Sequence, residues 1–158
     1  MFVVLVAFTN LLLAALLVGA MFGFWLSFNP AGLDAPTYVT VQQQAIRTLN
    51  VKMPVLGGLT ILLTIVAAAL AGGDGTRVAL LAAAAACFVG AGLITRFLNQ
   101  PINAIVINWP AHAPPDVWAQ FRDAWWLWHR LRTIGGIAGL CLLIAAALTQ
   151  VAQAGESS

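Results

Sequence analysis

The sequence predicts an all-α protein, an antiparallel four-helix transmembrane bundle with a polar surface helix before the second span. Three observations lead to this fold class. Of the 158 residues, 61% are hydrophobic and only 8% are charged, whereas soluble domains carry about 25% charged residues. Four apolar segments are each long enough to cross a hydrocarbon core of about 30 Å. The connections between them are short or of medium length, which favours antiparallel neighbours. We therefore expect residues 1–158 to form a single transmembrane domain.

The four predicted spans are apolar runs that cover residues 3–27, 54–71, 76–98 and 121–151. Residues 1–5 contain no Lys or Arg, and the first run is longer than the apolar region of a signal peptide, so we expect a retained span. Gly19 and Gly23 form a GxxxG pair in the first span, and Gly135 and Gly139 form another in the fourth. Such pairs let helices approach closely, so they favour packing within the bundle or a homo-oligomer.

The polar surface helix is expected between the first and second spans. Asp34 and Pro36 are typical of a helix start. Gln43, Arg47 and Asn50 follow at positions i, i+4 and i+7, so they share one face of this helix. That face is either in contact with water or turned into the mouth of the bundle, and the sequence leaves both possibilities open.

The third span is expected to stop or kink near Asn99. Pro101 follows it, and a proline restricts the preceding residue, here Gln100, to extended conformations. A proline-rich surface loop over residues 109–116 then leads into the fourth span.

The Lys and Arg residues are concentrated on one side of the predicted bundle. The side with the first and third loops carries Arg47, Lys52, Arg96, Arg122, Arg130 and Arg132, and the other side carries Arg77. The positive-inside rule places the first side in the cytoplasm and both termini outside, in a multi-pass protein of the cell inner membrane. Because the formal charge of +2 is small and its carriers are scattered, nucleic acid is not an expected partner.

A stripe of aromatic and basic residues enters the fourth span. Trp118, Arg122, Trp125, His129 and Arg132 recur at helical spacing and share one face, with Trp128 beside them. A lipid-interface belt accounts for Trp109, Trp118 and Trp126. It does not account for His129 and Arg132, which lie deeper in the span. An ionisable residue inside a span indicates a functional site by default, and the alternative is a structural polar network.

The residue types in this region favour acid–base chemistry on an aromatic molecule. A neutral His can accept or donate a proton near physiological pH, and a guanidinium can stabilise an oxyanion. Amides orient a carbonyl or hydroxyl group, and Trp rings form a flat apolar wall. We predict His129 and Arg132 as catalytic residues. The predicted substrate-binding residues are Asn99, Asn103, Trp125, Trp128, Arg96 and Arg122.

The sequence predicts no metal site and no cofactor. His112 and His129 lie 17 residues apart, and Cys87 and Cys141 are isolated in apolar runs, so no metal-ligand spacing is present. A haem with His129 as its single axial ligand is the weaker alternative. The sequence also lacks a glycine-rich phosphate loop, a nucleophile elbow and paired carboxylates.

Two motifs resemble those of a known family. They are Thr95-x-x-x-Asn99-x-Pro101-x-Asn103 and Trp125-x-x-Trp128-His129-x-x-Arg132-Thr133, and they are similar to motifs of the DUF1772, or anthrone oxygenase-like, family of small four-span membrane proteins. The segment Gln44-Ala45-Ile46 is also similar to that family's Gln-containing helix, although Arg47 stands where the family often has Asn.

The resemblance implies an activity. Some members of this family oxidise anthrones to anthraquinones with molecular oxygen and no evident cofactor. Carried over by position, the site would contain Asn99, Asn103, Trp125, His129 and Arg132. His129 would remove a proton from an acidic C–H or phenol, and Arg132 and the amides would hold the anion while it reacts with oxygen. Two alternatives remain: a non-catalytic small-molecule binding or transport-accessory protein, and a structural subunit that docks a partner through its polar residues.

Overall fold

The structure is a computed structural model that describes the backbone of residues 1–156 and the side chains of residues 1–149. Over the described backbone it is helical and contains no strand, so the predicted all-α bundle is confirmed. The α-helices are α1 (Phe2–Ser27), α2 (Ala35–Leu49), α3 (Lys52–Leu70), α4 (Gly75–Ile94), α5 (Gln100–Val106) and α6 (Trp118–Glu156). A 3-10 turn (Pro30–Gly32) follows α1, and a π turn (Thr95–Asn99) joins α4 to α5.

Four helical segments are long and apolar enough to cross a membrane. They are Phe2–Gly32, Lys52–Leu70, Gly75–Val106 and Trp118–Thr149. Apolar side chains cover much of their outer surface, as expected where lipid replaces water. The chain is therefore an integral membrane protein. Each segment overlaps one predicted span, and the third is longer than predicted because helix continues beyond the π turn.

One GxxxG pair brings α4 and α6 into close contact. A Cβ atom added to Gly139 would lie only 2.9 Å from Cζ of Phe88, a buried residue of α4. At Gly135 the nearest atom to such a Cβ is the carbonyl oxygen of Cys87, at 3.7 Å. At Gly19 and Gly23, in contrast, no heavy atom of another helix lies within 4 Å of that position. The fourth-span pair therefore packs the bundle, and a homo-oligomer through the first-span pair stays a prediction.

The π turn corrects the expected end of the third span. Gln100 is helical, with φ −63° and ψ −37°, and its N–H bonds to the carbonyl of Thr95. In a regular α-helix the ring of Pro101 would clash with the carbonyl four residues earlier. The wider π turn immediately before it relieves that crowding, so the helix continues to Val106. The prediction that Gln100 is extended and that the helix stops near Asn99 was wrong, and a kink at this place stays a prediction.

Helix α2 begins as predicted and lies against the end of α5. The Asp34 carboxylate accepts a hydrogen bond from the N–H of Thr37 at 2.8 Å, which lowers the pKa of this exposed carboxyl. Gln43 is buried, Asn50 is partly buried and Arg47 is exposed. The face predicted from these three residues is therefore divided between the bundle mouth and the outside.

Gln43 attaches α2 to the C-terminal end of α5. Its Nε2 donates to the carbonyl oxygens of Val106, Ile107 and Trp109 at 3.0, 3.3 and 2.8 Å. These carbonyls belong to the last turn of α5 and the residues after it, where helix geometry leaves acceptors without partners. One amide group thus satisfies the end of α5 and fixes the position of α2.

Candidate functional site

A cavity opens between the helices at the end of the bundle that holds α2 and α5. Its volume is about 560 Å³, counting its open mouth. We name it the polar cavity after the side chains that line it: Gln42, Asn50, Thr95, Asn103, His129 and Arg132. Its apolar walls include Met21, Phe24, Ile46, Met53 and Trp125. The cavity has the usual composition of a small-molecule site, with apolar walls and a few polar groups.

His129 is held between aromatic rings at the wall of the polar cavity. The side chain is buried. Its ring lies almost parallel to those of Trp125 and Trp126, with centroid distances of 5.1 and 5.5 Å. Phe24 of α1 presents its ring to His129 at 5.3 Å, with the planes inclined by 66°. These contacts restrict the imidazole to one orientation.

The hydrogen-bond partners of His129 define which ring nitrogen carries the proton. Nη2 of Arg132 lies 3.0 Å from Nδ1, and the carbonyl oxygen of Met21 lies 3.2 Å from Nε2. A guanidinium can only donate and a carbonyl can only accept. Nε2 therefore bears the hydrogen and Nδ1 the lone pair, so the contacts specify a neutral imidazole.

Arg132 presents a cation to the cavity without a matching protein anion. Nη1 donates to Oγ1 of Thr95 at 3.1 Å and Nη2 donates to His129, while Nε is buried without a partner. Within residues 1–149 no carboxylate forms an ion pair with Arg132. An unpaired charge away from water is costly, and this one lies inside a membrane span. The site is therefore suited to an anionic or strongly polarised ligand.

Asn103 joins three helices at the polar cavity. Its Oδ1 accepts from Nε1 of Trp125 at 2.8 Å and from Nε2 of Gln42 at 3.4 Å. Its Nδ2 donates to Oδ1 of Asn50 at 2.8 Å. The Oε1 atom of Gln42 is buried without a protein partner. Gln42 lines the cavity, and this oxygen retains its capacity to accept a hydrogen bond.

Comparison with known proteins identifies a family for this chain. A family model described as anthrone oxygenase matches residues 43–152, which is 110 of the 158 residues. The chain belongs to the anthrone oxygenase family. A search of curated proteins and a search of solved structures found no significant match. The family match contains Asn103, Trp125, His129 and Arg132 but not α1, which supplies Met21 and Phe24 to the site of this anthrone oxygenase family member.

The predicted site residues separate into three groups in this family member. Asn103, Trp125, His129 and Arg132 line the polar cavity together. Asn99 lies behind the wall, where it is buried and its Nδ2 donates to the carbonyl of Trp125 at 3.0 Å. Its Oδ1 is buried without a partner. Asn99 thus supports the position of Trp125 and does not line the cavity.

The remaining predicted residues lie away from the polar cavity. Arg96 is exposed and lines a neighbouring cavity described below. Arg122 lies over the ring of Trp118 at 4.8 Å and pairs with Asp123 at 2.8 Å. Neither Arg122 nor Trp128 is among the lining residues of the two cavities. Helical spacing places Arg122 and His129 on the same face of α6. Arg122 lies nearly two turns closer to the start of the helix, so it does not reach the polar cavity.

Some contributors to the site were not predicted from the sequence. Trp126 was assigned to the lipid interface, yet its ring lies against His129. Gln42 belongs to the run of three glutamines in α2, and that polar run is the signal that could have indicated it. The backbone carbonyl of Met21 could not be identified from the sequence, because every residue has a backbone carbonyl. Thr95 is part of the quoted motif and acts through its contact with Arg132.

Tyr38 supports the outer end of the site from α2. The side chain is fully buried in an aromatic cluster that includes Phe28 and Trp125, and its hydroxyl has no protein partner. Burial raises the pKa of the Tyr38 phenol well above its usual value of about 10. Tyr38 therefore remains protonated, and its ring helps to close the end of the bundle.

A metal ion or a haem iron would need side chains that can act as its ligands. Within residues 1–149 no group of three His, Cys, Asp or Glu side chains is arranged to hold a metal ion. Both ring nitrogens of His129 already have protein partners. An axial ligand at either nitrogen would have to replace one of these two contacts.

A second cavity lies deeper in the bundle and borders the first. Its volume is about 750 Å³, counting open space, and most of its lining is apolar. We name it the apolar cavity. The residues that line both cavities are Met21, Met53, Pro54, Thr95 and Arg132. Arg132 therefore stands between a polar and an apolar compartment.

Proposed function

We propose that this protein binds a hydrophobic aromatic substrate with an acidic C–H or phenol group and catalyses its oxidation by molecular oxygen without a cofactor. The observation that carries this proposal is Arg132, a cation on the wall of the polar cavity with no carboxylate partner within residues 1–149. Membership of the anthrone oxygenase family supports the same type of substrate.

The arrangement of the site provides for each part of a planar, acidic substrate. The rings of Trp125 and Phe24 line the cavity and offer apolar contact to a fused ring system. Arg132 is positioned to bind the oxygen on which negative charge develops, as an oxyanion hole does. The free Oε1 of Gln42 can accept a hydrogen bond from a second hydroxyl group.

In the proposed mechanism His129 takes the substrate proton at Nδ1. That lone pair accepts from Nη2 of Arg132 in the structure. When the substrate oxygen binds, the guanidinium turns toward it and frees Nδ1 for the proton. The Nε2 hydrogen remains on the carbonyl of Met21, which keeps the ring in place. The anion of the substrate offsets the charge that His129 gains.

The reaction balances with molecular oxygen as the oxidant. Removal of a proton from a CH2 group between aromatic rings leaves a carbanion that is delocalised onto oxygen as an enolate or phenolate. Its carbon bonds to one atom of O2, and the protonated His129 returns its proton to the resulting peroxide. Loss of water from the hydroperoxide gives a carbonyl, so that CH2 and O2 become C=O and H2O.

Oxygen uptake by the purified protein in detergent tests this proposal. A panel of anthrones and hydroquinones is added to the wild-type protein and to the double variant His129→Ala, Arg132→Ala. Matched controls are His112→Ala and Arg130→Ala, because both of these side chains are exposed. We expect uptake by the wild type and both controls and none above background by the double variant. Equal oxygen uptake by the double variant and the wild type would contradict the proposed enzymatic function.

A second candidate function is binding without chemistry. It is favoured by one observation: protein groups contact both ring nitrogens of His129. In this arrangement the imidazole accepts a hydrogen bond from Arg132 and holds the guanidinium in place. The variant His129→Asn discriminates between the two functions. A binding protein keeps ligand affinity in this variant, whereas the enzyme loses turnover even where the ligand still binds.

We also propose an orientation in the cell inner membrane, with the polar cavity open toward the cytoplasm. The basic residues flank this end of the bundle, while Arg77 lies at the start of α4 on the other side. The positive-inside rule supports this direction of insertion.

A further inference from the structure

We infer that the ligand of this protein is amphipathic, with an acidic aromatic head in the polar cavity and an apolar chain in the apolar cavity, and that it enters from the lipid between α3 and α4. The inference rests on the proposed function for the identity of the head group. The chain site and the lateral entrance rest on separate observations on α3 and α4.

The two cavities are adjacent parts of one binding region. Met21, Met53 and Arg132 line both of them, so the two compartments share part of their wall. A head group bound to Arg132 would be at the boundary, with its remainder directed into the apolar cavity. Met side chains are flexible and fit irregular shapes, which suits a boundary that a continuous ligand must cross.

The apolar cavity has the chemistry of a chain site. Its deeper lining is formed by Leu17, Gly57, Ile61, Phe88, Ala91 and Gly136. No described side chain among these offers a hydrogen bond to a ligand. From Met53 to Ile61 the cavity follows α3 for about 12 Å at 1.5 Å per residue. A compact aromatic head would leave this space unfilled, whereas an attached hydrocarbon chain occupies it.

Glycines form an opening between α3 and α4. Gly58 and Gly92 line the apolar cavity and are also exposed on the outer surface. A Cβ atom added to Gly58 would meet no heavy atom within 4 Å, and one added to Gly92 would meet only Cδ1 of Ile61, at 3.8 Å. Both residues lie in membrane-spanning segments. The opening therefore faces lipid, which is where an amphipathic ligand dissolves.

A bilayer acyl chain is the other possible occupant of the same space. The shared chemistry is a linear hydrocarbon, and the sources differ in the group attached to it. A phenolic ligand depends on Arg132 and Gln42 at its head. A lipid acyl chain depends on neither residue and competes in proportion to its concentration.

Ligand affinity tests the inference without reference to turnover. Hydroquinone, butylhydroquinone and decylhydroquinone are titrated into the purified wild-type protein, and binding is followed by tryptophan fluorescence. The variant Gly92→Leu places a side chain across the opening toward Ile61. The control Gly90→Leu lies on the same helix, and its position lines neither cavity and has open space at Cβ. Unfolding temperatures establish that both variants are folded.

We expect Gly92→Leu to weaken decylhydroquinone binding about tenfold, because the added side chain occupies part of the chain site. Hydroquinone affinity should be unchanged in this variant, and Gly90→Leu should alter neither ligand. Equal effects on short and long ligands, no effect on decylhydroquinone, or no measurable binding of decylhydroquinone to the wild type overturns the inference. Displacement of decylhydroquinone by phospholipid at similar concentration also overturns it and assigns the space to lipid.

Failure of the proposed function gives a different pattern. If the protein consumes no oxygen but Gly92→Leu still discriminates by chain length, the chain site stands and the oxidation does not. If oxygen is consumed with equal efficiency for short and long ligands in both glycine variants, the oxidation stands and the chain site does not.

Discussion

Arg132 and His129 position each other through one hydrogen bond, and that contact decides the state of both residues. The guanidinium occupies the lone pair of Nδ1, while Thr95 holds the other terminal nitrogen. Neither contact neutralises the charge. At the scale of single residues, the site therefore holds a cation in a largely apolar surrounding, and in the proposed function a ligand supplies the anion.

The substitution Arg132→Gln should weaken binding of an anionic ligand much more than binding of its neutral isostere. A hydrogen bond to a charged group contributes about 1.5–3 kcal/mol, which corresponds to roughly a 10–150-fold loss of affinity. Titration of a phenolate ligand and of its methyl ether measures the difference. Arg130→Gln is the matched control because that side chain is exposed. A similar loss for both ligands would mean that Arg132 acts through packing.

The substitution Trp125→Phe should remove a hydrogen bond to Asn103 but keep an aromatic ring against His129. It removes the Nε1 hydrogen bond to Asn103 Oδ1 at 2.8 Å and leaves only the longer contact from Gln42. We expect a loss of about 0.5–1.5 kcal/mol in the free energy of unfolding in detergent. Trp128→Phe, outside both cavities, should cost less. An equal effect of both substitutions would contradict a specific role for the indole N–H.

Much of the residue-scale site could be predicted, because helical spacing and chemistry both lie in the sequence. Trp125, His129 and Arg132 share a face of one helix, so periodicity alone placed them together. The partner of His129 on α1 could not be found in this way. Met21 contributes its backbone carbonyl across 108 positions of the chain, and a backbone atom has no residue-type signature.

Two helix contacts fix the polar cavity at the scale of elements: the close approach of α4 to α6 and the attachment of α2 to α5. The π turn adds a third feature, because it carries Thr95 and Asn99 to α6. The sequence predicted a break at this place, since proline restricts its neighbour. It could not predict that a wider turn would accommodate Pro101 within a continuing helix, because that outcome depends on packing against α6.

The substitution Gly139→Ala should destabilise the bundle. The added Cβ would lie between 2.9 and 3.2 Å from three atoms of the Phe88 ring, which is buried. Overpacking of this kind costs about 1–3 kcal/mol, seen as a lower unfolding temperature in detergent. Gly90→Ala is the control, since this residue of α4 lies outside both GxxxG pairs and no atom of another helix lies within 4 Å of its added Cβ. If both variants unfold at the wild-type temperature, α4 and α6 do not depend on this contact.

The substitution Gln43→Ala should weaken the attachment of α2 to the bundle. It removes the amide that three backbone carbonyls share; the carbonyl of Val106 still accepts from the N–H of Trp109, whereas those of Ile107 and Trp109 lose this donor. We expect a loss of about 1–3 kcal/mol, together with faster proteolysis between α1 and α3. Gln44→Ala removes an exposed neighbour of the same type and should have little effect. Similar behaviour of the two variants would show that this contact is dispensable.

The whole molecule combines an apolar exterior with one polar end, and that asymmetry underlies the proposed insertion. Fold class and the four spans followed from composition and run length, because lipid imposes helices of that length. The two cavities did not follow, since they arise where four helices leave space between them. The two cavities are adjacent because Met21, Met53 and Arg132, which come from three different helices, line both of them.

Topology reporters test the proposed orientation. A fluorescent protein that matures only in the cytoplasm should be dark when fused to the C-terminus and bright when inserted in the loop over residues 109–116. The reason is the excess of Lys and Arg at the end of the bundle that holds this loop. The opposite pattern would place the polar cavity outside the cytoplasm.

The central claim is that the polar cavity catalyses oxidation by molecular oxygen, and isotopically labelled oxygen tests it most directly. Anthrone is incubated with labelled O2 and the purified protein, and the label in the quinone product is measured by mass spectrometry. The mechanism predicts that the new carbonyl carries one labelled atom and that the other leaves as water. It also predicts that His129→Ala, Arg132→Ala forms product no faster than buffer, while Arg130→Ala matches the wild type. Product formation at the same rate by the double variant, or an unlabelled new carbonyl under conditions without exchange with water, would contradict the account.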